Sequence, residues 1–146
     1  MEKEVFVKLK GLQINEAEDS GEIEVVALGR YYEKNGSIYV IYEEVVDGLE
    51  GKIKNIIKLS PDLMEVTKKG LANTHMVFEV DKKNMTIYTT PFGEFTIGIL
   101  TKDVKIDKSE DALTITVDYE MDMNYEHLAD CTINIGVQSR SKGVFI

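Results

Sequence analysis

The chain holds few residues that could bind a transition metal. Its histidines are His75 and His127, and Cys131 is its single cysteine. Zinc usually takes three or four ligands at local spacings such as two cysteines separated by two to four residues. No such spacing occurs, and strand alternation places His75 on an outward face beside Glu79. We therefore predict no metal site and interpret His75 as a surface residue.

Three carboxylates recur at every second position, at Asp118, Glu120 and Asp122. If the segment is a strand, this spacing places all three on one face. Such a group could hold a cation or supply the acid and base of a glycosidase. Glycosidases, however, need two carboxylates across a cleft and in unlike environments. We therefore interpret the run as a solvated polar face.

Motifs for covalent or phosphate chemistry are missing from the sequence. It has no G-x-S-x-G nucleophile elbow and no G-x-G-x-x-G or G-x-x-x-x-G-K-[ST] phosphate loop. Cys131 lies in an apolar run, where an inert buried thiol is the usual case. We predict no catalytic residues and no cofactor. An enzyme of unknown class is the third-ranked hypothesis, and it would require a cleft with perturbed titratable groups.

Aromatic and polar side chains at inward strand positions form the remaining candidate site. A few polar groups in an apolar pocket are typical of a small-ligand site. The alternative is that these residues only satisfy one another in a packed core, since small barrels are often filled by side chains. The predicted ligand-binding residues, with Phe92 at the mouth, are Tyr31, Tyr42, Asn55, Phe78, Thr89, Phe92, Phe95 and Tyr119.

Arg30 has two possible orientations. Strand alternation places it on the face opposite Tyr31, where it could pair diagonally with Glu43 on the exterior. A bulge could instead turn it inward as an anion clamp. The exterior orientation is favoured because a surface ion pair needs no special arrangement.

Composition and charge limit the class of protein. The 146 residues are 43% hydrophobic, which predicts one globular domain spanning residues 1–146. The net charge of −9 disfavours nucleic acid and anionic membrane surfaces as partners. The N-terminal segment lacks the apolar core of a signal peptide, and one cysteine cannot form an internal disulfide. A cytoplasmic protein, monomeric or homodimeric, is expected.

An alternation of apolar and polar residues is the dominant pattern of the chain, and no segment shows a helical stripe. About ten short runs at regular spacing predict an all-β fold, a single antiparallel up-and-down barrel of about 8–10 strands. Barrel closure removes the two exposed edges that an open sheet would have to protect. The inward positions include Val5, Val7, Leu9, Ile53, Ile57, Leu59, Met76, Phe78, Val80, Leu113, Ile115, Val117, Tyr119, Met121, Met123, Cys131, Ile133, Ile135 and Val137.

Two hairpins can be assigned from turn residues. Asn35-Gly36 predicts a type I′ turn in which Lys34 faces Ser37 and Tyr32 faces Tyr39. The segment TTPFGEF predicts a three-residue loop, Pro91 to Gly93, with Thr90 opposite Glu94. In that register Met85, Ile87, Thr89, Phe95, Ile97 and Ile99 face inward.

Four segments resemble the YwiB-like family of small bacterial proteins of unknown function. They are GRYYEKNGSIYVIYEE, IIKLSPDLMEVTKKG, MVFE and YTTPFGEFTIGILTKDVKI, and the resemblance extends from about Glu24 to Gln138. The family implies a calycin-type β-barrel, like that of lipocalins, in a bacterial cytoplasm. It implies no established activity and therefore no catalytic residues.

Two functions follow as hypotheses. The first is a non-enzymatic calycin-like barrel that binds a small, partly apolar or amphipathic molecule in its interior. The second is an interaction or scaffold module with a side-chain-filled barrel. In that case an outward apolar patch would contact a partner or a second copy. The patch comprises Phe6, Tyr32, Tyr39 and Ile41.

Overall fold

Ten antiparallel strands form one sheet that curls into a nearly closed barrel. The computed structural model describes residues 1, 3–11, 24–61 and 63–142. The strands are β1 (Glu4–Lys10), β2 (Glu24–Lys34), β3 (Ser37–Glu44), β4 (Ile53–Ser60), β5 (Leu63–Gly70), β6 (Thr74–Glu79), β7 (Lys83–Thr90), β8 (Gly93–Lys108), β9 (Ala112–Met123) and β10 (Glu126–Ser139), followed by a 3₁₀ turn at Arg140–Lys142. The predicted all-β, up-and-down architecture is confirmed.

The strands are adjacent in chain order, and β1 pairs with β10. The seam lies between β6 and β7. One backbone bridge, Asn73 with Thr89, joins their ends through hydrogen bonds of 2.9 and 3.0 Å. The Thr74 hydroxyl also donates to the Ile87 carbonyl at 3.0 Å. Within the part of the chain described, no helix has the length and apolarity to cross a membrane.

The inward faces form the core largely as their alternation predicts. Val5, Val7 and Leu9 of β1 are buried, and the predicted inward residues of β4 and of β9 up to Tyr119 are buried too. The prediction of an inward Val80 is wrong, since Val80 follows the end of β6 and is exposed. Met121, Met123 and Cys131 pack on the core as predicted, but they are half-buried rather than buried.

The Asn35-Gly36 hairpin has the predicted register. Lys34 pairs with Ser37 and Tyr32 with Tyr39, and the two tyrosine rings stack with centroids 5.0 Å apart. Asn35 and Gly36 have φ angles of +53° and +81°, which both positions of a type I′ turn require.

The second hairpin is shifted by one residue from its predicted register. Thr90 pairs with Gly93, so the loop contains Pro91 and Phe92 alone. The Thr90 hydroxyl closes this short turn, since it accepts a hydrogen bond from the Phe92 amide and donates one to the Gly93 carbonyl, both at 3.0 Å. A shift of one residue exchanges the two faces of a strand. Met85, Ile87 and Thr89 of β7 therefore face outward. The prediction that these three residues face inward is wrong.

Candidate functional site

The barrel interior contains five of the eight predicted ligand-binding residues. Tyr31, Tyr42, Asn55, Phe78 and Tyr119 are all buried. The rings of Phe78 and Tyr119 meet edge to face, with centroids 5.2 Å apart. The Tyr31 hydroxyl donates to Glu33 at 2.7 Å, and Glu33 also accepts from Lys108 at 2.8 Å. Burial raises the pKa of Tyr31, and the hydrogen bond to Glu33 adds to the effect.

The other three predicted residues lie near the β7–β8 turn. Phe95 is half-buried and packs against the core beside its cross-strand partner, Tyr88. Thr89 is exposed, because the one-residue shift turns it away from the interior, and the prediction of an inward Thr89 is wrong. Phe92 is 72% exposed at the tip of the turn. The structure therefore does not bring Thr89 and Phe92 together with the interior set.

A buried ion pair in the interior was not predicted. Lys68 is 1% exposed, and its ammonium group lies 3.0 Å from a carboxylate oxygen of Glu44. Lys68 also donates to the side-chain oxygen of Asn55 at 2.7 Å, while the Asn55 amide donates to Glu44 at 3.2 Å. The three residues thus form a closed polar cluster.

Strand pairing explains how this polar cluster forms. Asn55 of β4 stands between Tyr42 of β3 and Lys68 of β5 in the ladder. Glu44 follows Tyr42 by two residues, so both face inward. Burial raises the pKa of Tyr42, and the carboxylate of Glu44 raises it further. A signal was present in the sequence, since Lys68 continues the inward phase of Met64 and Val66.

Within the part of the chain that the structure describes, side chains pack closely in the centre of the barrel. Most of its buried apolar residues have no exposed surface, and Lys68, Asn55 and Glu44 hydrogen-bond to one another. Thr101 Oγ1 is the single buried side-chain polar atom without a hydrogen-bond partner among the described residues. It lies across the ladder from Tyr119. One such hydroxyl does not amount to a binding pocket.

His127 lies near two carboxylates on the outer face of β9 and β10. Ligand atoms of Glu120, His127 and Asp130 all lie within 4.8 Å of one another. Pairing across the two strands creates this group, so residue spacing along the chain does not reveal it. Lys102, however, is 2.7 Å from Glu120, and this hydrogen bond lowers the pKa of the Glu120 carboxyl. The carboxylate is thus already engaged by a cation.

A groove of about 790 Å³ lies on the outer wall of β1 to β4. Val5 and Tyr42 are buried and form its floor, whereas exposed and half-buried side chains form its walls. The large apolar wall residues are Leu28, Ile41 and Val45, and the small residues Ala27 and Gly29 also line the groove. The charged wall residues are Glu4, Arg30, Glu43, Lys52, Lys54 and Arg140. We call this site the outer groove.

Strand alternation places the outer-groove side chains together. Arg30 lies opposite Ile41 in the β2–β3 ladder, and Lys54 lies opposite Glu43 in the β3–β4 ladder. The exterior orientation of Arg30 is confirmed. Its predicted partner is wrong, because Glu43 is engaged by Lys52 at 3.2 Å. The groove was missed because it depends on residues from strands and loops that are far apart in sequence.

Comparison with known proteins identifies relatives of the chain. Residues 7–135 match the sequence profile of a family described as "Domain of unknown function (DUF1934)". The chain is 31% identical over 121 residues to the "Uncharacterized beta-barrel protein YwiB" of Bacillus subtilis strain 168. The aligned region covers 80% of this chain and 84% of the relative. The crystal structure of that bacterium's ywiB protein superposes with a TM-score of 0.76 at 24% identity, covering 94% of this chain and 92% of the other. These matches confirm the resemblance and the barrel fold.

Proposed function

The chain belongs to the DUF1934 family, and we propose that it is a non-enzymatic binding protein for a small, partly apolar molecule. The proposed site is the outer groove, and not the barrel interior. The chain has one cysteine, Cys131, and therefore cannot form an internal disulfide, which supports a cytoplasmic location.

The observation that carries this proposal is the exposed apolar surface inside the groove. Leu28 is 57% exposed and Val45 is 67% exposed, and charged side chains surround both. Covering the exposed part of such a side chain with an apolar ligand contributes roughly 1–2 kcal/mol. The volume of about 790 Å³ lies within the range of small-molecule sites, roughly 300–1,000 Å³.

The packing of the barrel interior argues against a ligand site there. A ligand there would have to displace side chains from a core in which residues such as Phe78 and Ile57 have no exposed surface. It would also have to separate Lys68 from Glu44, which would leave a buried charge without its partner. The outer groove needs neither rearrangement.

The fluorescent probe 1-anilinonaphthalene-8-sulfonate, which has an apolar ring system, provides a test. We expect it to bind with enhanced fluorescence, and Leu28→Ser should weaken its affinity about five- to tenfold, because roughly 1–1.4 kcal/mol of apolar contact is lost. The measurement is a fluorescence titration of both proteins.

Leu128→Ser is the matched control, since Leu128 is 52% exposed on β10 and outside the groove. Its affinity for the probe should equal that of the unmodified chain. Equal weakening by the two substitutions would contradict a site in the groove.

Self-association through the outward patch of Phe6, Tyr32, Tyr39 and Ile41 is the second candidate. The stacked rings of Tyr32 and Tyr39 favour it, because Tyr32 remains exposed although it is stacked. Ile41 belongs to both the patch and the groove. Light scattering at high protein concentration distinguishes the candidates, since a dimer requires twice the monomer mass.

A further inference from the structure

We infer that the molecule held in the outer groove carries an anionic head group, a carboxylate or a phosphate, bound by Arg30 and Lys54. This inference rests on the proposed function of the groove. It adds the chemical class of the ligand and the residues that select it.

The charge of the groove is opposite to that of the whole chain. Four cationic and two anionic side chains line it, which gives a local net charge of +2, whereas the chain carries −9. The chain has only two arginines, and both line the groove. A cationic groove in an acidic protein attracts a small anion locally, while the remaining surface repels it.

The ion pairs within the groove show which of its cationic side chains are available to bind an anionic ligand. Arg140 lies 3.1 Å from a carboxylate oxygen of Glu4, and Lys52 lies 3.2 Å from one of Glu43. Both carboxylates of the groove are therefore engaged. Within residues 1, 3–11, 24–61 and 63–142, neither Arg30 nor Lys54 has a carboxylate within 4 Å.

The position of Glu4 shows that Arg30 forms no ion pair even with the carboxylate across the ladder from it. It lies directly across the β1–β2 ladder from Arg30, close enough for a cross-strand pair, yet it contacts Arg140 instead. The guanidinium of Arg30 thus keeps its donors for another acceptor. Its planar fork matches a carboxylate or phosphate, which it can bind through two parallel hydrogen bonds.

The strand register places Arg30 and Lys54 close enough for both to contact one head group. They lie on strands that flank β3, at the levels of Ile41 and Glu43. Two strand spacings and two residues along a strand separate their Cα atoms by roughly 12 Å. Two long side chains can close on an anion across that distance. The apolar part of the ligand would then lie over Leu28 and Val45, which line the same groove.

Three compounds with the same eight-carbon chain test the inference by calorimetric titration. They are octyl phosphate, octanoate and the neutral 1-octanol. We expect the anions to bind at least tenfold more tightly than 1-octanol, and the tighter anion identifies the head group. Arg30→Gln should reduce anion affinity at least tenfold and leave the affinity for 1-octanol unchanged, which also shows that the variant is folded.

Lys34→Gln is the control, since it removes a cation from the same strand outside the groove. It should leave all three affinities unchanged. If 1-octanol binds as tightly as both anions, the charge inference is wrong and the groove remains a binding site. If none of the three compounds binds, the proposed function itself is overturned.

Discussion

The Lys68→Met variant is expected to lose about 3 kcal/mol of its free energy of unfolding. Lys68 is 1% exposed, and its ammonium group contacts Glu44 at 3.0 Å and Asn55 at 2.7 Å. Methionine matches the lysine side chain as far as Cε and removes the charged ammonium group. The Glu44 carboxylate then remains in the interior without its cation, and such uncompensated charges are costly. Small domains have only about 5–15 kcal/mol of stability, so urea denaturation should show a large shift.

Two further variants isolate the ion pair. Lys69→Met removes the neighbouring lysine, which is exposed, and should change the stability by less than about 0.5 kcal/mol. Replacing both partners, Glu44→Leu with Lys68→Met, should recover at least half of the loss, because no buried charge remains. Equal losses for Lys68→Met and Lys69→Met would contradict the buried pair.

The second large effect is expected for Gly70→Ala, at about 3 kcal/mol of lost stability. Gly70 has a φ of +120°, which is strained for any residue with a side chain. A Cβ atom there would also lie 2.2 Å from the backbone oxygen of Lys52, so the backbone would have to move. Thermal or urea unfolding measures the loss.

Gly48→Ala separates the two contributions. Gly48 has a φ of +83°, but a Cβ atom there would meet nothing within 4 Å. We expect a loss of only about 1 kcal/mol, from the backbone strain alone. If Gly48→Ala proves as destabilising as Gly70→Ala, the close approach of Lys52 to Gly70 is not the cause.

Local patterns predicted most of the fold because strand alternation and turn chemistry act over a few residues. Asn35-Gly36 fixed its hairpin, since few turns accept two positive φ angles. The Pro91 turn was misassigned because the Thr90 hydroxyl closes a shorter loop than Gly93 predicts. The resulting shift of one residue in register exchanges the two faces of β7, and Thr89 therefore faces outward.

The candidate site was less predictable, for a physical reason. Asn55 was placed correctly, but its partners Glu44 and Lys68 are charged, and charged residues are rarely assigned to a core. The outer groove depends on which side chains of four strands meet across the sheet. Strand alternation gives the face of Arg30, while only the side-chain contacts show that Glu4 and Glu43 are engaged by other cations.

Binding of a partly apolar anion in the outer groove can be observed residue by residue. Its most direct test is two-dimensional ¹H–¹⁵N NMR of the protein titrated with octyl phosphate. We expect the largest chemical-shift changes at the amides of Leu28, Arg30, Ile41 and Lys54, and small changes at Phe78 and Tyr119 in the interior. The largest changes at Phe78 and Tyr119, or no changes at the groove amides, would contradict it.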